Sequence, residues 1–169
     1  MNISGYSTSK PSSLVCGQYS FSGVYTAGDY ISKTFTNIPL NHYELVVRFG
    51  VGFMGDWDSH DQILMEIDGV NYSKSYGGCH QPQPVCLTNG NDCIRIISHS
   101  IRHTSTKAHI KITSSISEVD PTYQFWGVKD LLISAKLCDS KCSACFGPSE
   151  GECIICVAGY FLWGNLCTK

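Results

Sequence analysis

The sequence predicts an all-β fold: an antiparallel β-sandwich of jelly-roll type, followed by a small disulfide-rich ribbon. Three observations carry this expectation. The stretch YELVVRFGVGF (43–53) alternates for eleven positions, and a period of two marks a strand with one buried face. No long segment shows the 3.6-residue repeat of an amphipathic helix. Six of the ten cysteines crowd into the last 32 residues, at 138, 142, 145, 153, 156 and 167.

The elements follow in chain order. Residues 1–13 are small and polar, with Pro11, and 1–15 read as a flexible arm. QYSFSGVY (18–25) and YISKTFTNI (30–38) read as strands. In the long strand, Tyr43, Leu45, Val47, Phe49, Val51 and Phe53 share the core face; His42, Glu44, Arg48, Gly50 and Gly52 share the other with Val46. QILMEIDGVNYSKSY (62–76) reads as a hairpin turning at Asp68-Gly69, a pair suited to a two-residue connection. CIRIISHSIRH (93–103) and AHIKITSSI (108–116) read as a second hairpin turning at HTSTK, and FWGVKDLLISAKL (125–137) as the last strand. Many short strands joined by polar turns indicate a sandwich over 16–137. Ile94, Ile96, Ile110, Ile112 and Trp126 complete the expected core.

GGCHQPQPVCLTNGNDC (77–93) interrupts the pattern with a Gly/Pro/Asn-rich loop. Its Cys79, Cys86 and Cys93, with Cys16, suggest two bridges, one tying the N-terminal strand to the loop. Three pairings are open to four cysteines.

Residues 138–169 are too few to bury a self-sufficient core, so something must cross-link them. Cys142, Cys145, Cys153 and Cys156 have the spacing C-x2-C-x7-C-x2-C, which could close a tetrahedral zinc site. Zinc would leave Cys138 and Cys167 idle, whereas disulfides would use all six. A bridge closing a loop of about 15 residues contributes roughly 3 kcal/mol in the chain-entropy model. Disulfides are therefore the preferred reading, and an even, dense cysteine count places the chain in an oxidising compartment.

Cys138, Cys142, Cys145, Gly147-Pro148-Ser149, Cys153, Cys156, Gly159-Tyr160 and Cys167 together resemble a furin-like repeat of the growth-factor-receptor cysteine-rich superfamily. The resemblance covers 138–169 and implies a thin β-ribbon ladder with the pairing Cys138–Cys145, Cys142–Cys153 and Cys156–Cys167. It further implies a non-catalytic spacer or binding rod in a secreted protein or ectodomain, of a kind abundant on ciliate cell surfaces. Trp163 is expected to cover this ladder.

GDWDSHDQ (55–62) places Asp56, Asp58 and Asp61 on a short loop. Hard carboxylate oxygens at that spacing suit calcium, and a solvated turn capped by Asx side chains suits them too. FMGDWDSHDQILMEIDG loosely resembles a loop of secreted jelly-roll modules, which carry a Glu soon after the Trp-Asp. Here His60, Asp61 and Gln62 stand instead. His99 and His109 would face each other across the second hairpin, as solvent-side residues or as a metal pair.

Composition narrows the function classes. Charged residues are 15% and the net charge is -2, so no basic field exists for nucleic acid. The longest apolar runs, such as 155–164, are about half a bilayer span. The opening MNISGYSTSKPSS has no apolar leader core, so an extracellular reading requires a removed leader or a longer parent chain. Asn2 and Asn71 head glycosylation tripeptides. No P-loop, dinucleotide-binding glycine pattern or nucleophile elbow is present, and no enzyme is expected. Trp57, Tyr72, Tyr76 and Tyr123, in or near loops, could stack on sugars or anchor a protein. The expected function is an extracellular or cell-surface structural or interaction module, binding other proteins or its own copies. The alternative is a calcium-dependent, lectin-like domain binding glycans.

Overall fold

A computed structural model describes residues 5–75, 85–86 and 92–169. Among these the chain is almost entirely β. The strands are β1 Ser7–Thr8, β2 Ser13–Cys16, β3 Tyr19–Tyr25, β4 Tyr30–Phe35, β5 His42–Gly55, β6 Gln62–Ile67, β7 Val70–Ser75, β8 Cys93–Arg102, β9 Ala108–Ser114, β10 Gln124–Leu137, β11 Cys142–Cys145, β12 Cys153–Cys156, β13 Phe161–Trp163 and β14 Leu166–Thr168. One five-stranded sheet has the order β1-β4-β9-β6-β7 and a second β2-β3-β10-β5-β8. The pairs β1–β4, β4–β9, β6–β9 and β6–β7 in the first, and β2–β3 and β3–β10 in the second, are antiparallel, and the two sheets form the sandwich.

The core is set by the alternation along β5. Leu45, Val47, Phe49, Val51 and Phe53 are all buried, together with Ile31, Ile63, Ile67, Ile110, Ile112 and Trp126. Gln62–Ile67 and Val70–Ser75 pair as a hairpin about Asp68-Gly69. Both turn residues have positive φ, 50° and 84°, the type I′ signature that matches strand twist.

Three features depart from the sequence expectations. First, β8 and β9 are not a hairpin: β8 lies at the edge of the β5 sheet, and β9 sits between β4 and β6 in the other. Both edges of β9 are taken, by Tyr30–Phe35 on one side and Ile63–Ile67 on the other. Residues 103–107 therefore connect two sheets. Second, the core-facing parity of β8 begins at Ile97, which is buried, while Ile96 is exposed. CIRII carries apolar residues at both parities, so its facing is decided by the sheet and not by local pattern.

Third, the segment expected as a flexible arm contains β1 and β2. β1 pairs with β4 and β2 with β3. Polar side chains hold the arm down. The Tyr30 amide donates to Ser9 Oγ at 2.9 Å, Ser9 Oγ donates to Asp29 Oδ1 at 2.8 Å, and the Val24 amide donates to Ser12 Oγ at 3.0 Å. Asp29 Oδ2 also accepts from the Thr26 amide at 2.9 Å and the Thr26 hydroxyl. Partial burial pushes the Asp29 carboxyl up, but the Thr26 amide, the Ser9 and Thr26 hydroxyls and nearby Lys10 outweigh it and hold it below its usual 3.8. A carboxylate depressed in the folded state adds stability above its unfolded pKa, and loses it as pH falls through the folded value. The wild type is expected to lose more melting temperature between about pH 5 and pH 3 than Asp29→Asn does. Equal losses would show that these bonds do not favour the ionised form.

A second apolar cluster lies on the opposite face of the β5 sheet. Cys16, Phe21, Met54 and Phe125 are buried there, with Val85, Cys86 and Ile94 packed against them. Cys16 and Cys86 are disulfide-bonded across 70 residues. Asp92 is fully buried and accepts from the Gly55 amide at 3.2 Å and the Cys86 amide at 2.7 Å. A strand face that would otherwise meet water is thereby covered, which is why Gly52 and Met54 are buried despite lying off the main core face.

The chain divides into two compact units. The first comprises residues 1–35, 49–97 and 108–131; the second comprises 36–48, 98–107 and 132–169. The unit that carries the cysteine-rich tail thus also takes in sandwich residues.

Candidate functional site

In the tail, the structure bonds Cys138 to Cys145, Cys142 to Cys153 and Cys156 to Cys167. Cys93 is disulfide-bonded as well, and Cys79 lies outside the described residues. The tail has two small sheets, β11 with β12 and β13 with β14. Its interior is sulfur: Cys138, Cys142, Cys145, Cys153 and Cys167 are buried as one cluster, with Tyr43, Cys156 and Tyr160 packed against it. Lys141 pairs with Glu150 at 3.1 Å, and this hydrogen bond holds its ammonium above the usual range. The Cys138 amide donates to Asn41 O at 2.8 Å and Arg102 Nη1 donates to Phe146 O at 3.2 Å, so polar bonds seat the tail beside Tyr43, while the disulfides cross-link it internally. Three cross-links replace the core that 32 residues cannot build.

Trp163 does not cover the ladder; it is 82% exposed. The reason is register. β13 and β14 turn through Gly164-Asn165, with Gly164 at φ 61°, and pair Phe161 with Thr168, Leu162 with Cys167, and Trp163 with Leu166. Directly opposed residues point the same way and successive ones alternate. Cys167 and Leu162 therefore share one face, and Phe161, Trp163 and Leu166 share the other. Phe161 is 75% exposed, and Leu166 is exposed too. Ile154 and Ile155 on β12 are also exposed. The result is a concentration of large apolar side chains in water, on a rigid, cross-linked element.

The acidic loop is organised differently from a set of converging ligands. Asp58 Oδ1 accepts from the His60 amide at 2.7 Å and the Asp61 amide at 3.2 Å, and Asp61 Oδ2 accepts from the Asp58 amide at 3.0 Å. The His60 amide above all, with the Asp61 amide, holds the Asp58 carboxyl below its usual range. Asp61 also accepts from Gln124 Nε2 at 2.6 Å, and the Asp56 amide donates to Tyr123 O at 3.1 Å. Among the described residues, Asp56, Asp58 and Asp61 do not gather their carboxylates as a close group of three; the sulfurs of Cys142, Cys153 and Cys167 do.

The candidate aromatics separate. Trp57 is buried, edge-to-face on Phe53 at 4.8 Å, with Nε1 donating to Phe125 O at 3.1 Å. Tyr123 is exposed, and Tyr76 lies outside the described residues. Asn71 is exposed beside the β6–β7 turn, while Asn2 lies outside the described residues.

His99 and His109 fall in different sheets, so no hairpin brings them face to face. His109 instead bonds Thr34 through Nδ1 at 2.9 Å. A pairing that the sequence did not signal joins His42 Nε2 and His103 Nδ1 at 2.8 Å, with both rings buried and His42 Nδ1 on Pro39 O. If Nδ1 of His42 donates to that carbonyl, its Nε2 accepts, and His103 Nδ1 must carry the proton.

No family model matches the chain, and no curated protein matches it. Among solved structures it is similar to exo-β-1,3-galactanase from Phanerochaete chrysosporium. In complex with β-1,3-galactotriose the identity is 15% and the TM-score 0.38, covering 73% of this chain and 27% of that one. With galactose the values are 17% and 0.37, covering 76% and 26%. The chain thus spans about a quarter of those enzymes, and at this similarity the match bears on neither activity nor ligand. No helix among the described residues is long and apolar enough to cross a membrane.

Proposed function

We propose that the chain is a non-enzymatic extracellular or cell-surface assembly module that contacts further copies of itself through the outward face of the β13–β14 hairpin. The observation that carries this reading is the exposure of Phe161 and Trp163 on a strand pair stapled by Cys156–Cys167. Aromatic side chains in contiguous exposed patches are characteristic of interaction sites. A pre-rigidified hairpin loses little conformational entropy on docking. The net charge of only -2 offers little repulsion between copies. In this reading the tail is a contact element as well as a connector. Calcium is not required by it, because Asp58 and Asp61 already bond amides of their own loop. The furin-like character of the tail and its extracellular setting belong to the same proposal, supported by the cross-links.

Sedimentation velocity of the whole chain over a range of concentrations tests this. The wild type is expected to associate with rising concentration, and Phe161→Ser/Trp163→Ser to remain monomeric with an unchanged melting temperature. A wild type that stays monomeric throughout would contradict self-association.

A further inference from the structure

The three tail bridges are not equally accessible, and two of them are close neighbours. Five of the six sulfur-bearing residues are buried; Cys156 alone is only partly buried. Its partner Cys167 is 2% exposed, and Cys142 and Cys153 are each 1% exposed. The Sγ atoms of Cys142, Cys153 and Cys167 all lie within 4.8 Å of one another. The inner end of the Cys156–Cys167 bridge thus abuts the Cys142–Cys153 bridge.

We propose that the tail is a thiol–disulfide relay, in which reduction entering at Cys156 is passed inward and leaves Cys167 still bridged. An external dithiol, as thiolate, attacks Sγ of Cys156, the one tail cysteine that is not buried. The Cys156–Cys167 bond breaks, a mixed disulfide forms on Cys156, and Cys167 leaves as a thiolate. Exchange proceeds by thiolate attack on a neighbouring disulfide sulfur, and the nearest bridge is Cys142–Cys153. Cys167 bonds to one of that pair and expels the other as a thiolate, which takes a proton from water. The second thiol of the reductant resolves the mixed disulfide, giving Cys156–SH and a cyclic oxidised reductant. The balance is one dithiol oxidised and one protein bridge reduced, with two thiols on the protein: Cys156, only partly buried, and either Cys142 or Cys153, buried. Because Cys167 is retired into an inner bridge, Cys156 has lost its partner and stays available to bond a sulfur on another molecule. The tail would then hold a latent covalent attachment point. This inference rests on the sulfur positions and is independent of self-association through the hairpin.

Limited reduction of the native chain with dithiothreitol, quenched by iodoacetamide and mapped by mass spectrometry, tests it. The expected first product carries label on Cys156 and on Cys142 or Cys153, with Cys167 in a new bridge to the remaining one. A first product labelled on Cys156 and Cys167, with Cys142–Cys153 intact, would overturn the relay. Earlier opening of Cys138–Cys145 or of Cys142–Cys153 itself, before any label on Cys156, would overturn it as well. A control in which Cys142→Ser and Cys153→Ser are combined should trap label on Cys156 and Cys167; that variant need only retain the Cys156–Cys167 bridge for the comparison to hold.

Discussion

Replacing Trp126 with alanine is expected to lower the unfolding free energy by about 3–5 kcal/mol, the range for removing a large buried aromatic ring. Trp126 is fully buried and lies 4.7 Å from Tyr25 between ring centroids. The two are direct partners in the β3–β10 pairing, so the ring fills the core and fixes a cross-strand contact. Tyr25 is anchored in turn by its hydroxyl, 3.0 Å from Ser22 Oγ. Truncation leaves a cavity that a sheet, hydrogen-bonded on both sides of β10, cannot collapse around. Trp126→Phe is expected to be much milder. It keeps most of the ring, and it removes an indole N–H that has no partner among the described residues; losing an unsatisfied buried donor offsets part of the lost packing. Urea unfolding of the three proteins checks this order. An alanine variant as stable as the phenylalanine one would show that Trp126 is not a core residue.

The second large effect is expected from Cys16→Ala/Cys86→Ala. A bridge spanning 70 residues constrains the unfolded chain by about 4 kcal/mol in the chain-entropy model. For a chain of this size that corresponds to a fall in melting temperature of roughly 8–16 °C. The loss is not only entropic. Cys86 belongs to the segment covering Phe21, Met54 and Phe125, and its amide is one of two held by the buried Asp92 carboxylate. With the bridge gone, the cover can lift and wet that cluster. Differential calorimetry gives the stability. Binding of an apolar dye reports the uncovered face, and is expected to rise in the variant below its melting transition. A variant with wild-type stability and no added dye binding would mean that Asp92 and packing alone keep the cover in place.

The legible parts of the fold were those written in local periodicity. Leu45, Val47, Phe49, Val51 and Phe53 occupy alternate positions, so the long strand β5 and its buried face follow from a period of two. Asp68-Gly69 marks the β6–β7 turn because few residues accept positive φ at two successive positions. The illegible parts depended on partners distant in sequence. Strand β1 carries little apolar signal and β2 is only four residues long; both are tied down by partners distant in sequence, through Ser9, Ser12 and Asp29 and the Cys16–Cys86 bridge. Whether residues 103–107 close a hairpin or connect two sheets depends on what β9 finds on its edges, and those partners are β4 and β6. His42 and His103 are 61 residues apart, and neither has a local pattern that points to the other. In the tail, the Gly164-Asn165 turn stood in plain view. The orientation of Trp163 follows from that turn by register, and nearness to Cys167 in sequence was the misleading cue.

The most direct measurement on the molecule is the state of its sulfur. Iodoacetamide labelling of the denatured, unreduced chain, read by intact mass, is expected to add nothing to any of the ten cysteines, and full reduction is expected to expose all ten. Label on the tail cysteines without reduction would mean that the ribbon is not held by covalent bridges, and the rigid apolar hairpin would lose its physical basis.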